Sequence, residues 1–193
     1  QSYFIKRIET YLSTKGKKLI GWDEILQGGL PEQATVMSWR GLEGGIEASN
    51  SGHDAVMTPG KYCYFDKYQG NPDVEPLAIG GLLPLDSVYG YSPSRGIAPE
   101  KAKHILGAQA NVWTEYIPTE KHFEYMVFPR LCAMAEILWS PAEKRNYVDF
   151  IQRLDTHYQR LDKKDIAYRV DAPIGFQPYN RVLEDSTTVS LNC

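Results

Sequence analysis

Cysteine is scarce in this 193-residue sequence: Cys63, Cys132 and Cys193 are too few and too unevenly spaced for a disulfide scaffold. No CxxC pair or Cys/His cluster offers a structural metal site, and His53, His104, His122 and His157 show no ligand spacing. Nothing in the cysteines, histidines or carboxylates asks for a cofactor. The net charge is only -3, so the basic face that a nucleic-acid partner wants is missing. No stretch approaches the roughly 18 apolar residues needed to span a bilayer. Glycine-rich phosphate motifs are missing too, since Gly41-Leu42-Glu43-Gly44-Gly45 fits neither GxGxxG nor a Walker pattern. Ser38 has no evident His/Asp partners, which argues against a hydrolase triad. Gln1-Ser2-Tyr3-Phe4-Ile5-Lys6-Arg7 reads as helix rather than as a signal peptide. A chain that opens in mid-element is expected to be a piece of a longer polypeptide.

What is present suits one ordinary domain with a real core: 42% hydrophobic and 23% charged residues. The aromatic load is high, with 13 Tyr, 6 Phe and 4 Trp, as in clefts that line carbohydrates and also in Tyr-rich cores. Phe4, Ile8, Tyr11 and Leu12 share a helical face that Gly16 ends. Three short apolar runs follow, Lys18–Trp22, Ala34–Trp39 and Ala55–Thr58, recurring about every 17 to 18 residues with a short helix over Leu42–Asn50. That rhythm predicts a parallel α/β arrangement. A long irregular section from Lys61 to about Lys103 implies a functional reason for its length. The fourth strand is Ile105–Val112. A helix over Glu120–Trp139 is interrupted near Pro129, which cannot continue the hydrogen bonding behind it. A last helix starts at about Pro141, with Tyr147, Ile151, Leu154, Tyr158 and Leu161 on one stripe, before a tail after Lys164. Cys132, in an apolar helical run, is expected to be a buried thiol.

Each strand meets a polar-aromatic cluster at its C-terminal end: Trp22-Asp23-Glu24, Ser38-Trp39-Arg40, Tyr62-Cys63-Tyr64-Phe65-Asp66 after the third strand, and Asn111-Val112-Trp113-Thr114-Glu115. Sites of TIM barrels and of open doubly wound sheets both lie at that end, so topology leaves both alive. A sugar offers apolar C–H faces and hydroxyls, matching aromatic walls with a few convergent polar groups. Three tryptophans at equivalent strand ends favour a ligand wall over simple packing. Arg40 reads as a structural partner for a carboxylate. Asp23 and Glu24 are adjacent, which is poor grounds for two convergent carboxylates, because neighbouring strand residues point to opposite faces.

In that order, Gly21-Trp22-Asp23-Glu24-Ile25-Leu26, Trp39-Arg40-Gly41, Tyr64-Phe65-Asp66 and Trp113-Thr114-Glu115-Tyr116 resemble the ends of barrel strands five to eight in the β-N-acetylhexosaminidases of glycoside hydrolase family 20. Pro129-Arg130-Leu131, Ala133, Ala135-Glu136 and Trp139-Ser140 resemble the helical segment after strand eight. The resemblance covers about residues 1–165 and implies the C-terminal half of a (β/α)8 TIM barrel, with 166–193 a tail or the start of a following segment. It implies that Trp113 stacks beneath a terminal N-acetylhexosamine (GlcNAc or GalNAc) while Trp22 and Trp39 enclose the acetamido methyl. It further implies that Tyr64 donates to the acetamido oxygen and that Asp66 and Glu115 bind hydroxyls at O6 and O4. The implied reaction is exo-acting hydrolysis with the substrate's own acetamide as nucleophile, in an extracytoplasmic setting.

The family's Asp-Glu proton-transfer pair follows strand four in a His-x-Gly-Gly-Asp-Glu type motif that this sequence does not contain, and the upstream sugar-gripping arginine is missing with it. Ile79 stands where relatives often place a Trp. The isolated chain is therefore expected to be inactive, to need the N-terminal half of the barrel as partner, and to risk self-association through unpaired strand edges. Alternatives are a non-catalytic carbohydrate-binding half-barrel and a different barrel hydrolase, such as an α-galactosidase or chitinase.

Overall fold

The computed structural model describes residues 2–170. Four short strands form one parallel sheet in chain order: β1 (Ile20–Trp22), β2 (Thr35–Ser38), β3 (Ala55–Met57) and β4 (Ile105–Ala108). Every neighbouring pair is parallel, with Gly21 opposite Val36, Val36 opposite Ala55 and Ala55 opposite Ile105. A register shift at Ala55/Val56 bends the β3–β4 pair. Strands laid down one after another in a single direction are those of a barrel wall; a doubly wound sheet reverses order at a switch point. The chain is thus a partial (β/α)8 barrel.

Six helices complete the described residues: α1 (Ser2–Thr14), α2 (Glu43–Asn50), α3 (Leu85–Tyr89), α4 (Glu120–Val127), α5 (Arg130–Trp139) and α6 (Tyr147–Asp162). Apolar packing gathers on one side of the sheet. Val36 and Ala55 meet Ala48 of α2 and Ile5 of α1, while Met57 joins Leu85, Val88, Ala133, Ile137, Phe150 and Leu154 from α3, α5 and α6. The opposite face carries Trp22, Met37 and Val56 side by side, flanked by exposed Ile20 and Leu106. Period-two alternation puts the other set of side chains there, and they form the side that faces the axis of a closed barrel.

Several sequence expectations need correction. In α1 the stripe of Phe4, Ile8, Tyr11 and Leu12 is exposed at its first three positions and half-buried at Leu12, and it is Ile5 that packs against the core. β4 ends at Ala108 rather than Val112, because Asn111 leaves the strand to pair with the Tyr62–Asp66 segment. The long section after β3 contains α3 and a 3-10 turn at Pro99–His104. The last helix begins at Tyr147, where Asn146 accepts a capping bond from the Asp149 amide; Pro141 precedes only a single 3-10 turn. Cys132 is half-buried, and Cys63 is the fully buried thiol, pushed up to about 12 by burial. Beyond residue 165, Tyr168 stacks on Tyr158 and the Arg169 guanidinium pairs with Glu75 at 2.6 Å. Cys193 and the rest of the tail from 171 lie outside the described residues.

Candidate active site

All four strands deliver their aromatic residues to the same end of the sheet. Trp22 ends β1, Trp39 follows β2, Tyr64 follows β3 through a short loop, and Trp113 follows β4. With Glu24 they line one open cleft of about 300 Å³. Trp22 and Trp113 are 37% and 46% exposed, an unusual placement for indoles that need an apolar neighbour. The Trp39 and Tyr64 rings lie 6.5 Å apart at 29°.

The chain after β1 turns into a 3-10 helix (Asp23–Leu26), and this sends adjacent carboxylates to different jobs. Asp23, 2% exposed, faces inward. It accepts from the Trp39 and Arg40 amides at 3.1 and 3.2 Å and from Arg40 Nε at 2.6 Å. This carboxylate clamps the β2 loop, and Arg40 has the structural role that the sequence suggested. Glu24 faces the cleft and accepts the Trp39 indole N–H on both oxygens, at 3.1 and 3.2 Å. Ser38 belongs to the same framework: its hydroxyl donates to the Gly41 carbonyl and accepts from the Gly45 amide.

On the other side of the cleft, Asn111 fixes the segment that carries Tyr64. Its amide donates to the Cys63 carbonyl, its carbonyl accepts from the Phe65 amide, and its side-chain amide donates to Thr58. Burial pushes the Tyr64 phenol above its ordinary range and the nearby Asp66 charge adds to this, against hydrogen bonds with Trp113 and Asn111. The phenol therefore remains a donor at neutral pH. Asp66 lies beside the cleft rather than in its lining, 3% exposed and with Oδ1 lacking a partner among the described residues. Burial raises its pKa, and the neighbouring Glu115 carboxylate raises it further, opposed by its own backbone amide and by Lys67 and Arg130. Glu115 itself is exposed. A buried carboxylate oxygen without a donor is costly and is suited to a hydroxyl brought by a ligand.

Arg130, from the Pro129-Arg130-Leu131 segment, is the functional support that sequence reasoning underrated. Fully buried, it donates to the backbone carbonyls of Phe65 and Lys67, on either side of Asp66, and to those of Leu83 and Met126. Glu24 was likewise set aside in the sequence. Its adjacency to Asp23 carried no sign that the 3-10 turn would aim Glu24 at the cleft while Asp23 turns inward. Ile79 is exposed. A larger groove of about 620 Å³ runs between α5 and α6, is lined by none of the strand-end residues, and lacks this convergence of aromatic walls.

The family model "Glycosyl hydrolase family 20, catalytic domain" matches residues 1–142. The chain belongs to glycosyl hydrolase family 20. Among members of that family, it is 52% identical over 175 residues to a beta-hexosaminidase of Porphyromonas gingivalis, covering 90% of this chain and 22% of the relative. A Cellulomonas fimi beta-N-acetylhexosaminidase is 31% identical, covering 83% and 33%. In three dimensions it resembles a family 20 exo beta-N-acetylglucosaminidase of Vibrio harveyi solved with N-acetylglucosamine, with a TM-score of 0.79 and 31% identity over 88% of this chain and 27% of that one. The family 20 chain thus spans about a fifth to a third of the relatives it matches. Among the described residues, no helix is long and apolar enough to cross a membrane.

Proposed function

We propose that this chain is the sugar-gripping half of an exo-acting β-N-acetylhexosaminidase, which removes terminal β-linked GlcNAc or GalNAc from glycans. The observation that carries this reading is the convergence of Trp22, Trp39, Trp113 and Tyr64 on one cleft at the C-terminal ends of four parallel strands. Trp113 stacks beneath the pyranose, Trp22 and Trp39 close around the acetamido methyl, and Asp66 and Glu115 take hydroxyls at O6 and O4. Tyr64 donates to the acetamido oxygen and holds it in line with the anomeric carbon, a proximity effect.

That oxygen attacks the anomeric carbon as the glycosidic bond breaks, giving an oxazolinium ion that water opens with net retention. The leaving oxygen needs a proton. Glu24, the carboxylate in the cleft lining, is committed to the Trp39 indole, so the acid comes from an Asp-Glu pair in the N-terminal half of the barrel. Losing general acid catalysis alone costs about 10²–10⁴-fold, and the isolated chain is expected to be inactive. The parent enzyme is expected in an extracytoplasmic fraction.

Hydrolysis of an aryl β-GlcNAc by the complete barrel protein, with inhibition by an oxazoline-mimicking thiazoline, is the test. Turnover that the thiazoline leaves untouched would count against the acetamide nucleophile. The second reading, a non-catalytic binding half-barrel, is favoured by the commitment of Glu24 to Trp39. Sugar binding without turnover in the complete protein would select it.

A further inference from the structure

After α6 the chain fastens itself to α4 and its C-terminal cap. The Ala167 amide donates to Glu124 at 2.8 Å, Tyr168 stacks on Tyr158 with ring centroids 4.3 Å apart, and the Arg169 amide donates to the Phe128 carbonyl at 3.1 Å. The Arg169 side chain then reaches the long loop that continues from Asp66. Its Nε donates to Glu75 Oε1 at 2.6 Å, and the Tyr125 hydroxyl of α4 donates to Glu75 Oε2. The ion pair is enclosed, with side chains 14% and 5% exposed. Gly70 lets the loop close over it, since a Cβ there would meet both the Arg169 guanidinium and the Glu75 carboxylate.

The same bend of chain holds the backbone around Asp66. Gln69 Nε2 donates to the Tyr125 carbonyl at 2.6 Å, and Arg130 donates to the carbonyls of Phe65 and Lys67. Residues 65–75 are thus tied to residues 125–130 near Asp66 by Arg130 and at the far end by Glu75. Arg169 serves both ties, because its side chain holds Glu75 while its amide holds Phe128, beside the Pro129-Arg130 step. The charges of Asp66 and Glu75 both favour the buried Arg130 guanidinium. Asp66 Oδ1 has no partner among the described residues, so the backbone on either side does much of the aiming of this carboxylate. A buried ion pair is a weak source of net stability, because desolvating two charges offsets their attraction. Its directional bonds fix geometry instead. Resting on the reading that Asp66 takes a hydroxyl of a terminal N-acetylhexosamine, we propose that Arg169 is a positioning residue, which acts through Glu75 and the Phe128 carbonyl to set the Asp66 carboxylate for that hydroxyl.

The experiment is a double-mutant cycle in the complete barrel protein, reading kcat/KM on an aryl β-GlcNAc and on its 4-deoxy and 6-deoxy analogues. Arg169→Gln is expected to cost about tenfold on the parent sugar, and less than about twofold once Asp66→Asn is already in place. It should likewise cost little on whichever deoxy analogue Asp66→Asn leaves unaffected, because that sugar lacks the hydroxyl that Asp66 takes. Arg169→Lys keeps a cation for Glu75 and should recover most of the loss. A role confined to stability lowers the amount of folded enzyme and so lowers every rate by one factor. The same factor in both backgrounds and on all three sugars therefore overturns the proposal and leaves the reading of Asp66 standing. Should Arg169→Gln fail to fold, Tyr125→Phe leaves the ion pair intact and removes one of Glu75's two bonds, with the same non-additivity expected at about two- to threefold. An Asp66→Asn variant as active as the parent on every sugar overturns the reading of Asp66 and the proposal with it. Absence of turnover by the complete protein overturns the enzymatic reading as well.

Discussion

Trp39 illustrates how a single side chain is aimed by groups that never need touch a ligand. Its amide is held by Asp23 and its indole N–H by Glu24, so both ends of the residue are tied to the turn after β1. If Glu24 acts by orienting that wall, Glu24→Ala is expected to weaken thiazoline binding by the complete barrel about tenfold, as loss of one charged hydrogen bond would. Glu24→Gln keeps an acceptor oxygen and should recover most of the affinity; equal losses in both variants would sink the positioning role. Asp66 presents the reverse balance, because burial and Glu115 raise its pKa. A carboxyl whose folded pKa lies above its unfolded value holds its proton more tightly when folded. Stability is thus lost as pH rises from the unfolded pKa through the raised folded one, and the full penalty persists above it. Asp66→Asn should therefore raise the melting temperature at neutral pH, with the gain fading as pH falls below the ordinary carboxylate range. The same change should cost about 10- to 100-fold in kcat/KM by removing a charged acceptor from the sugar. A melting temperature that does not move, or a gain that persists in acid, would refute the linkage.

At the scale of elements, the site depends on how closely α2 approaches the strands. A Cβ on Gly45 would overlap Met57 Sδ and force that fully buried side chain to shift, while a Cβ on Gly44 would sit 2.9 Å from Asp23 Cβ. Those two glycines let the first turn of α2 rest on Ser38 and Asp23, which hold the Trp39 loop. Gly45→Ala is expected to destabilise the protein by about 1–3 kcal/mol through overpacking, despite the better helix propensity of alanine. It should also loosen sugar binding; a gain in chemical-denaturation midpoint would show that α2 shifts freely. The sequence made much of this legible. Short apolar runs located β1 to β3, and the Trp that closes the first two marked the site end of the sheet, because strand length and aromatic punctuation are local signals. It did not show the outward turn of Phe4, Ile8 and Tyr11, since a helical stripe says which residues share a face and not which face meets the core. Nor did it show α3, a single turn whose Leu85, Val88 and Tyr89 are buried by tertiary packing rather than by any periodicity. Arg130 was visible as part of a motif, yet its hold on the carbonyls around Asp66 spans more than sixty positions of chain and has no local signature.

Among the described residues, one sheet face is covered and one is bare. Helices bury the Val36, Ala55 and Met57 side. Ile20, Trp22 and Leu106 remain exposed on the other side, with β1 and β4 unpaired at the two edges. In a closed barrel those residues fill the interior and those edges find neighbours, so a lone half leaves both apolar area and backbone groups in water. The 193-residue chain by itself is thus expected to associate with copies of itself, with a concentration-dependent increase in apparent mass on size exclusion. Ile20→Lys with Leu106→Lys would place two charges on the bare face and should return the chain to monomer while the helix-covered core holds. Adding the N-terminal half of the barrel in trans should compete with self-association and, if it carries the proposed acid, give hydrolysis of an aryl β-GlcNAc. A compact, stable monomer at every concentration would overturn the association. Such a monomer, if also insensitive to the two lysines, would mean that the exposed inner face is satisfied within the chain itself.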